Sequence, residues 1–579
     1  MARSKKLSSI YYDGFEGMNT QKCHSGKESS AYIENFRIKS DGSLEKRYGY
    51  KHVASLGNEI IIELWSGEIE GVKKCFLATD LRKIYSLNME TGELHHIGSF
   101  PESSHPAAFF FYQGALYFKN SRSNYKITDT AIINMPGYVP LIGKDWGTSY
   151  PGELHESINI MHKTIRISYK VPELHTSMLP TLYPISSVIA LYKNGSLMDS
   201  SKYFIDERFN TINVTELDTG DEFVALLDMK SYNPNTDMFR ISKKASVYGE
   251  INDTSIYLLG SPRKNLIPVS RFVSKEDDEA CNSIATDYGN IYFPLDDMLT
   301  VGDGAYKSTA VVKLYDRLVI FNKKEAWMAD SAALNGEKIA SINISREEGC
   351  NMINACAVVN DVPYTVSNNA VLKWSIDTND PNKSKIESIT KGISEYLSPE
   401  FFEGAMLYYH SANNELWLYN KDVGNTAYVY NLDNKSWVAV SNITPHVLFE
   451  YGDDLCFYDM NNIYRFSKEL DEDTKSDGSI HPITARFESG ILSFGSTDTK
   501  RLSTGKVIGD LMGGSLNMEL MCDTGETVSL PIETDNEHSV VVRRLNSGRF
   551  RNLKFSFSCN GKAGMTVHSL KLTTRSKEE

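Results

Sequence analysis

Lys73–Gly98 reads KKCFLATDLRKIYSLNMETGELHHIG. An alternating apolar run gives way to a polar turn, Ile84-Tyr85-Ser86-Leu87 follows, and a Thr91-Gly92 turn leads into another short run. Period-two alternation cut by polar turns predicts short antiparallel strands. The next unit, Ala107–Thr128 (AAFFFYQGALYFKNSRSNYKIT), repeats the theme around a tight turn at Gln113-Gly114. It returns at Ala245–Gly260, Thr309–Asp330, Asn354–Ile376, Ala405–Val440 and Pro445–Phe466. Long helical periodicity is nearly missing. Units in the second half begin near Val311, Ala355, Ala405 and Val447, which are 44, 50 and 42 residues apart. A four-stranded propeller blade takes about 40 to 50 residues, so this spacing predicts an all-β chain with a β-propeller core of six or seven blades. A row of separate β-sandwiches would use the same strand signals.

Two segments break the rhythm and set the expected domain limits. Residues 147–230 open on a Pro/Gly/Ser boundary. They then carry Val188–Lys193, the Asn194-Gly195 hairpin turn, and strands at Lys202–Asp206, Thr211–Val214 and Asp221–Leu227. That is enough for a small inserted β-sandwich. After Phe466 the run KELDEDTKSDGS has no apolar anchor and reads as a charged linker, 468–479. The expected order is therefore an N-terminal arm with the first blades (1–146), the inserted sandwich (147–230), the remaining blades (231–467), the linker, and a C-terminal sandwich (480–579).

Composition narrows the function classes. At 579 residues the chain is long enough for several domains, and 41% apolar with 23% charged residues describes a folded chain. Aromatics make up 11%, with Tyr 32 ahead of Phe 25, which suits half-buried strand faces. Lys+Arg 61 against Asp+Glu 74 leaves −13, which disfavours a global grip on nucleic acid or anionic lipid. The first 51 residues carry +4 and Lys500–Glu579 carry +3, so mildly basic ends flank an acidic middle. Such opposite signs can dock one subunit on another. No run reaches the roughly 18 apolar residues of a membrane span, and polar Ser8, Ser9 and Asp13 stand where a secretion signal needs an apolar stretch. The eight cysteines are scattered without a CxxC pair and read as reduced thiols filling the core of a protein made in a cytoplasm.

Signatures of chemistry are few. GxSxG, HExxH, GxxxxGK[ST] and GxGxxG do not occur. Asp471–Gly478 has a calcium-loop flavour, but Lys475 falls where an oxygen ligand belongs and the closing Glu is missing. His95 and His96 point to opposite faces of a strand, and His105, His155, His162 and His175 lack partner spacing. The residues predict no enzyme, no cofactor and no metal. Val273–Asn290, acidic and turn-rich, reads as a channel-facing or tip loop, or equally as a solvated one.

The most specific local pattern lies at the amino terminus: Gly14-Phe-Glu-Gly17-Met-Asn19, then Glu34-Asn35-Phe36-Arg37, then Asp41-Gly42-Ser-Leu44-Glu-Lys46-Arg47-Tyr-Gly49-Tyr50. Asp41-Gly42 makes a hairpin turn, with Arg37 and Arg47 near the hairpin's ends, where an arginine fork can take a carboxylate of the same chain or of a neighbour. Through Gly17, Asn19, Asn35, Gly42, Leu44, Lys46, Arg47, Gly49 and Tyr50 this opening resembles that of a family of tailed-phage structural proteins. The family includes the β-propeller tail accessory or nozzle proteins of the head–tail connector. Glu16 replaces the family's first glycine and Tyr48 its usual proline.

Three further segments resemble phage virion modules in the expected order. They are Leu191–Val224, Leu314–Met328, and Arg543-Arg544 through Arg549 to Leu572. The resemblance implies a virion protein of the tail, made in the host bacterial cytoplasm. It would form a homo-oligomeric ring, commonly of six copies, beside an adaptor or portal-proximal ring and other tail proteins. Double-stranded DNA would pass through the lumen and be retained there until ejection, and the protein would insert into no membrane. Arg37, Asp41, Arg47, Arg543, Arg544 and Arg549 are the expected subunit-interface residues. A glycan-binding or glycan-cleaving propeller of the tail that contacts the host surface is the alternative, and a peptide-binding propeller scaffold a third reading.

Overall fold

The computed structural model describes residues 5–577 except 22–29, 103–106, 121–123, 148–150, 174–175, 231–235, 249–253, 286, 316, 331–340, 377–383 and 534–538. Cys23, His105, His175 and Asp316 lie outside the described residues.

Seven antiparallel units of four strands follow one another along the chain, five of them separate four-stranded sheets. The first is Ile61–Ile69, Val72–Thr79, Lys83–Leu87 and Leu94–Ser99; the second is Ala108–Tyr112, Ala115–Lys119, Asn124–Ile127 and Ile132–Asn134. In the third, Lys244–Tyr248 and Ser255–Leu259 are joined through a Tyr257–Val269 bridge to Leu266–Pro268 and Met298–Thr300. The fourth spans Ser308–Leu314 to Ser341–Ser345, the fifth Cys356–Val359 to Ser384–Ser388, and the sixth Met406–His410 to Ser436–Ser441. The seventh takes Val447–Tyr451, Asp454–Tyr458 and Asn462–Phe466 from late in the chain and Tyr50–Ser55 from its start. The first strand of each sheet packs on the first strand of the next, and that of the seventh packs back on that of the first. The sheets therefore encircle an axis as a seven-bladed propeller. Pairing the chain's early strand into its last blade closes the ring without a covalent link and leaves no bare edge there.

The inserted sandwich lies between the second and third blades. Its larger sheet orders Glu153–Leu154, Leu141–Trp146, Thr164–Lys170, Glu222–Met229, Ile185–Lys193 and Ser196–Leu197, and a second sheet holds Met178–Pro180, Thr211–Val214 and Tyr203–Asp206. Ile165, Ile167, Leu179, Leu191, Ile212 and Phe223 fill the space between. Asn194 (φ 48°) and Gly195 (φ 77°) make the hairpin turn in the left-handed region. The sandwich begins earlier than position 147, because Leu141–Trp146 pairs in parallel with Thr164–Lys170. Leu141–Trp146 also pairs with Glu153–Leu154 on the far side of that expected boundary, whose residues 148–150 lie outside the described residues.

The terminal sandwich departs further from expectation. One sheet orders Phe36–Ile38, Leu44–Lys46, Thr566–Lys577, Lys500–Asp510 and Ser539–Arg544, with Lys5–Tyr12 also paired to Thr566–Lys577. The other runs Ser30–Glu34, Ala485–Ser489, Leu553–Asn560, Ser515–Cys522 and Thr527–Glu533. It continues into the sixth blade through a parallel pairing of Glu34 with Ala439. The arm thus supplies four of the eleven strands of this sandwich, and residues 480–579 are not a self-contained domain. Tyr12, Phe15 and Phe36 from the arm pack on Phe487, Phe555 and Phe557, with Phe487 and Phe557 stacked at 4.9 Å. The expected linker is likewise structured: Glu472–Thr474 pairs with Ile480–Pro482.

Val273–Asn290 contains a helix, Lys275–Asn282, whose N-cap Ser274 accepts from the backbone N–H of Asp277. It sits between the third and fourth strands of the third blade, away from the ring axis. Its Cys281 packs with Tyr138, Val139 and Leu226 toward the inserted sandwich. Among the described residues no helix is long and apolar enough to cross a membrane, and the described cysteines are unpaired.

Candidate functional site

The amino-terminal motif lies where the propeller meets the terminal sandwich. Asn35, at φ 57°, bends the chain out of one sheet of the sandwich and into the other. Its N–H donates to the Ala439 carbonyl at 2.8 Å. Its side-chain Nδ2 donates to Ser441 Oγ and the Thr484 carbonyl, both at 2.9 Å. Its Oδ1 accepts from Arg47 Nε at 2.8 Å and from the Ser441 N–H at 3.1 Å. Three segments remote in sequence therefore meet on one amide.

Arg47 completes the knot. Both terminal nitrogens reach Asp473, at 2.9 and 2.7 Å, and they also donate to the carbonyls of Tyr48 (3.0 Å) and Ser441 (3.2 Å). With Nε on Asn35, all five guanidinium N–H groups are occupied. The side chains are 3% and 1% exposed, so the pair is screened from solvent. Asp473 Oδ1 accepts in addition from the Tyr50 N–H at 3.3 Å, at the start of the strand that closes the propeller. Tyr50 packs edge-on to Phe457, Tyr464 and Phe466, and its hydroxyl donates to the Asn442 carbonyl at 2.9 Å. Burial raises the phenol well above its usual range. Two glycines make the close approach possible. A Cβ on Gly17 would stand 2.6 Å from Ser436 Cβ, and one on Gly49 would collide with the Glu472 carbonyl.

Beside this knot lies a cleft of about 400 Å³ lined by Arg37, Tyr48, His410, Asn413, Trp417 and Lys468 among others. Arg37 faces Glu415 at 3.4 Å. Trp417 Nε1 donates to the same carboxylate at 3.2 Å, and His410 Nδ1 lies 3.9 Å from it. Burial alone pushes the Glu415 carboxyl up, but Arg37 and the His410 and Trp417 donors more than offset this and hold it below its ordinary range. Asp41 caps its own turn, accepting from Ser43 N–H at 2.9 Å and Ser43 Oγ at 2.6 Å, and these bonds hold its carboxyl low.

The six expected interface residues therefore divide. Arg47 is unavailable to a neighbouring subunit, since every donor is used inside the chain. Arg37 is tied to Glu415, and Asp41 is engaged by Ser43. Arg543 and Arg544 are exposed on the edge strand Ser539–Arg544 and Arg549 is exposed in the connection after it; among the described residues none of them bonds to the knot. Sequence reading missed Asp473 and Glu415. Asp473 sits in a run of acids where nothing distinguishes the one that is buried. Its neighbour Asp471 accepts from the Ala563 N–H, and Glu472 is exposed. The calcium-like spacing is thus used for an ion pair.

No known protein family matches the chain, and no curated protein does. Among solved structures it is similar to the WD40 domain of SCAP from fission yeast, at 10% identity and TM-score 0.33, over 75% of this chain and 94% of that one. It is similar to BamB from Moraxella catarrhalis at 8% and 0.34 (80% and 98% covered), and to YCF48 from Cyanidioschyzon merolae at 7% and 0.36 (72% and 98%). The propeller assignment itself stands on the cyclic packing of the seven blades.

Proposed function

We propose that the chain is a structural protein of a tailed-phage virion, a ring subunit of the head–tail connector or tail nozzle. In this reading it extends the DNA channel, retains DNA until ejection, and works by assembly without making or breaking a bond. The observation that carries the reading is the amino-terminal motif. Gly17, Asn35, Arg47, Gly49 and Tyr50, which bear the family resemblance, are all spent on locking the propeller to the terminal sandwich. A motif used wholly for rigidity suits a load-bearing part, and the order of the other resembling segments agrees with it. The acidic middle of the chain adds a physical argument, because a lumen of that sign repels phosphates and lets a duplex slide without sticking.

The protein is then made in the host cytoplasm and ends in the tail. There it assembles as a ring, of six copies in the family's pattern, against an adaptor ring and other tail proteins. Electron microscopy of the purified chain mixed with its adaptor, with antibody labelling of whole particles, tests this. Closed rings and label at the head–tail junction are expected. Turnover of host polysaccharide by the free monomer would contradict it and favour the glycan-cleaving alternative.

A further inference from the structure

One sheet of the terminal sandwich leaves an open outer face with an unusual arrangement of charge. Ser539–Arg544, Lys500–Asp510, Thr566–Lys577 and Lys5–Tyr12 bury Leu502, Val507, Leu570 and Leu572 on the inner side. On the outer side the register sets Lys506 opposite Lys571 and Arg501 opposite Arg575, with Arg544 opposite Thr504. Four of these five cations are exposed and Lys506 is half-buried. None of them forms an ion pair among the described residues. Among the described residues the carboxylates of this face lie at its far end, where Asp510 and Glu45 both stand opposite Thr566; Asp510 is taken by His568 at 3.1 Å and Glu45 faces Lys39 at 3.7 Å. Like charges directly opposite one another across a strand pair cost stability. Two such pairs, with only the Thr504–Thr573 pair between them on this face, in a chain whose net charge is −13, mark a surface held ready for an anion.

The neighbours of these cations indicate which anion. Tyr11 stands opposite Lys571, Leu7 opposite Arg575 and Val542 opposite Lys506, all strongly exposed. Alternating apolar and cationic side chains match a protein surface better than a phosphate backbone, which offers nothing apolar to cover. The chain carries the complement itself. The helix Lys275–Asn282 presents Glu276, Asp277 and Glu279 to solvent and Asp278 beside them. Its only intrahelical cation, Lys275, faces Glu279 at 3.7 Å with both groups exposed, so it neutralises little.

We propose that the cationic outer face of the terminal sandwich docks the acidic helix Lys275–Asn282 of a second copy of the chain. The two patches are different surfaces, so the contact is heterologous and propagates into a ring when the rotation closes. This deepens the ring reading and rests on it.

Charge exchange on the full-length chain tests the contact by sedimentation velocity at about 50 mM and about 500 mM salt. Wild-type protein should associate at the lower salt and dissociate at the higher. Lys571→Glu/Arg575→Glu should weaken association at least about a hundredfold. Its thermal midpoint should not fall, because a repulsion has been removed. Glu276→Lys/Asp277→Lys/Glu279→Lys should do the same to association, and an equimolar mixture of the two variants should regain it. Wild-type protein that stays monomeric at low salt overturns the ring reading itself. Assembly that survives Lys571→Glu/Arg575→Glu overturns this surface while the ring reading stands. Loss without regain on mixing rejects the helix as the partner. Capture of a short DNA duplex through this face, with assembly unchanged, overturns the proposal in favour of nucleic acid.

Discussion

The knot around Arg47 and the outer face of the terminal sandwich use the same side chains in opposite ways. At the knot one guanidinium is enclosed, faces one carboxylate, and has every donor occupied. On the outer face Arg501 and Arg575 stand opposite each other, exposed, and neither forms an ion pair among the described residues. Burial makes the first arrangement costly to break, since removing either partner strands a charge in a low-dielectric interior. Exposure makes the second cheap to keep and useful only when something else supplies the missing charge. Charge inside holds the architecture, and charge outside recruits.

The largest expected effect breaks the knot. Arg47→Met should cost about 3 to 5 kcal/mol in chemical denaturation, and Asp473→Leu alone should cost a similar amount. The double variant should recover most of the loss, because no unpaired charge remains. Next comes the close approach at Gly49. Gly49→Ala forces the backbone of Glu472 to move, with an expected loss of about 1 to 3 kcal/mol by the same assay.

Acid comes third. His162, half-buried near the inserted sandwich, accepts from the Thr164 N–H at 3.1 Å, and burial pushes its pKa down to about 4. The unfolded chain takes this proton at about pH 6.5. Stability is therefore intact above that pH and declines as pH falls from about 6.5 toward 4. His162→Gln should flatten the slope in that window of a stability–pH curve. The smallest effect sits on the outer face. Lys571→Thr in the monomer should raise stability by roughly 0.2 to 1 kcal/mol, read as a small rise in the denaturation midpoint. A fall there would mean that Lys571 has a partner inside the chain.

Sequence reading recovered what is local. Strand pairs around Gln113-Gly114 and Asn194-Gly195 follow from turn chemistry and two-residue alternation, and the blade spacing follows from their recurrence. It did not recover pairings between remote segments. The alternation of Lys5–Tyr12 says that one face is buried, but not that its partner is Thr566–Lys577. For the same reason Asp473 passed as solvated. The helix Lys275–Asn282 was missed because a single buried residue, Cys281, anchors it and no apolar stripe announces it. Ser274 followed by Asp277 was the available signal, a helix-start pattern too short to stand alone. Of the site, the hairpin and its arginines were legible, and the carboxylates that receive them were not.

Cryo-electron microscopy of the wild-type chain assembled at low salt tests the account most directly. Subunits of seven blades arranged about a common axis are expected, each with density for a neighbour's Lys275–Asn282 helix lying on Arg501, Lys506, Lys571 and Arg575. Isolated propellers with that face bare in every copy would contradict it.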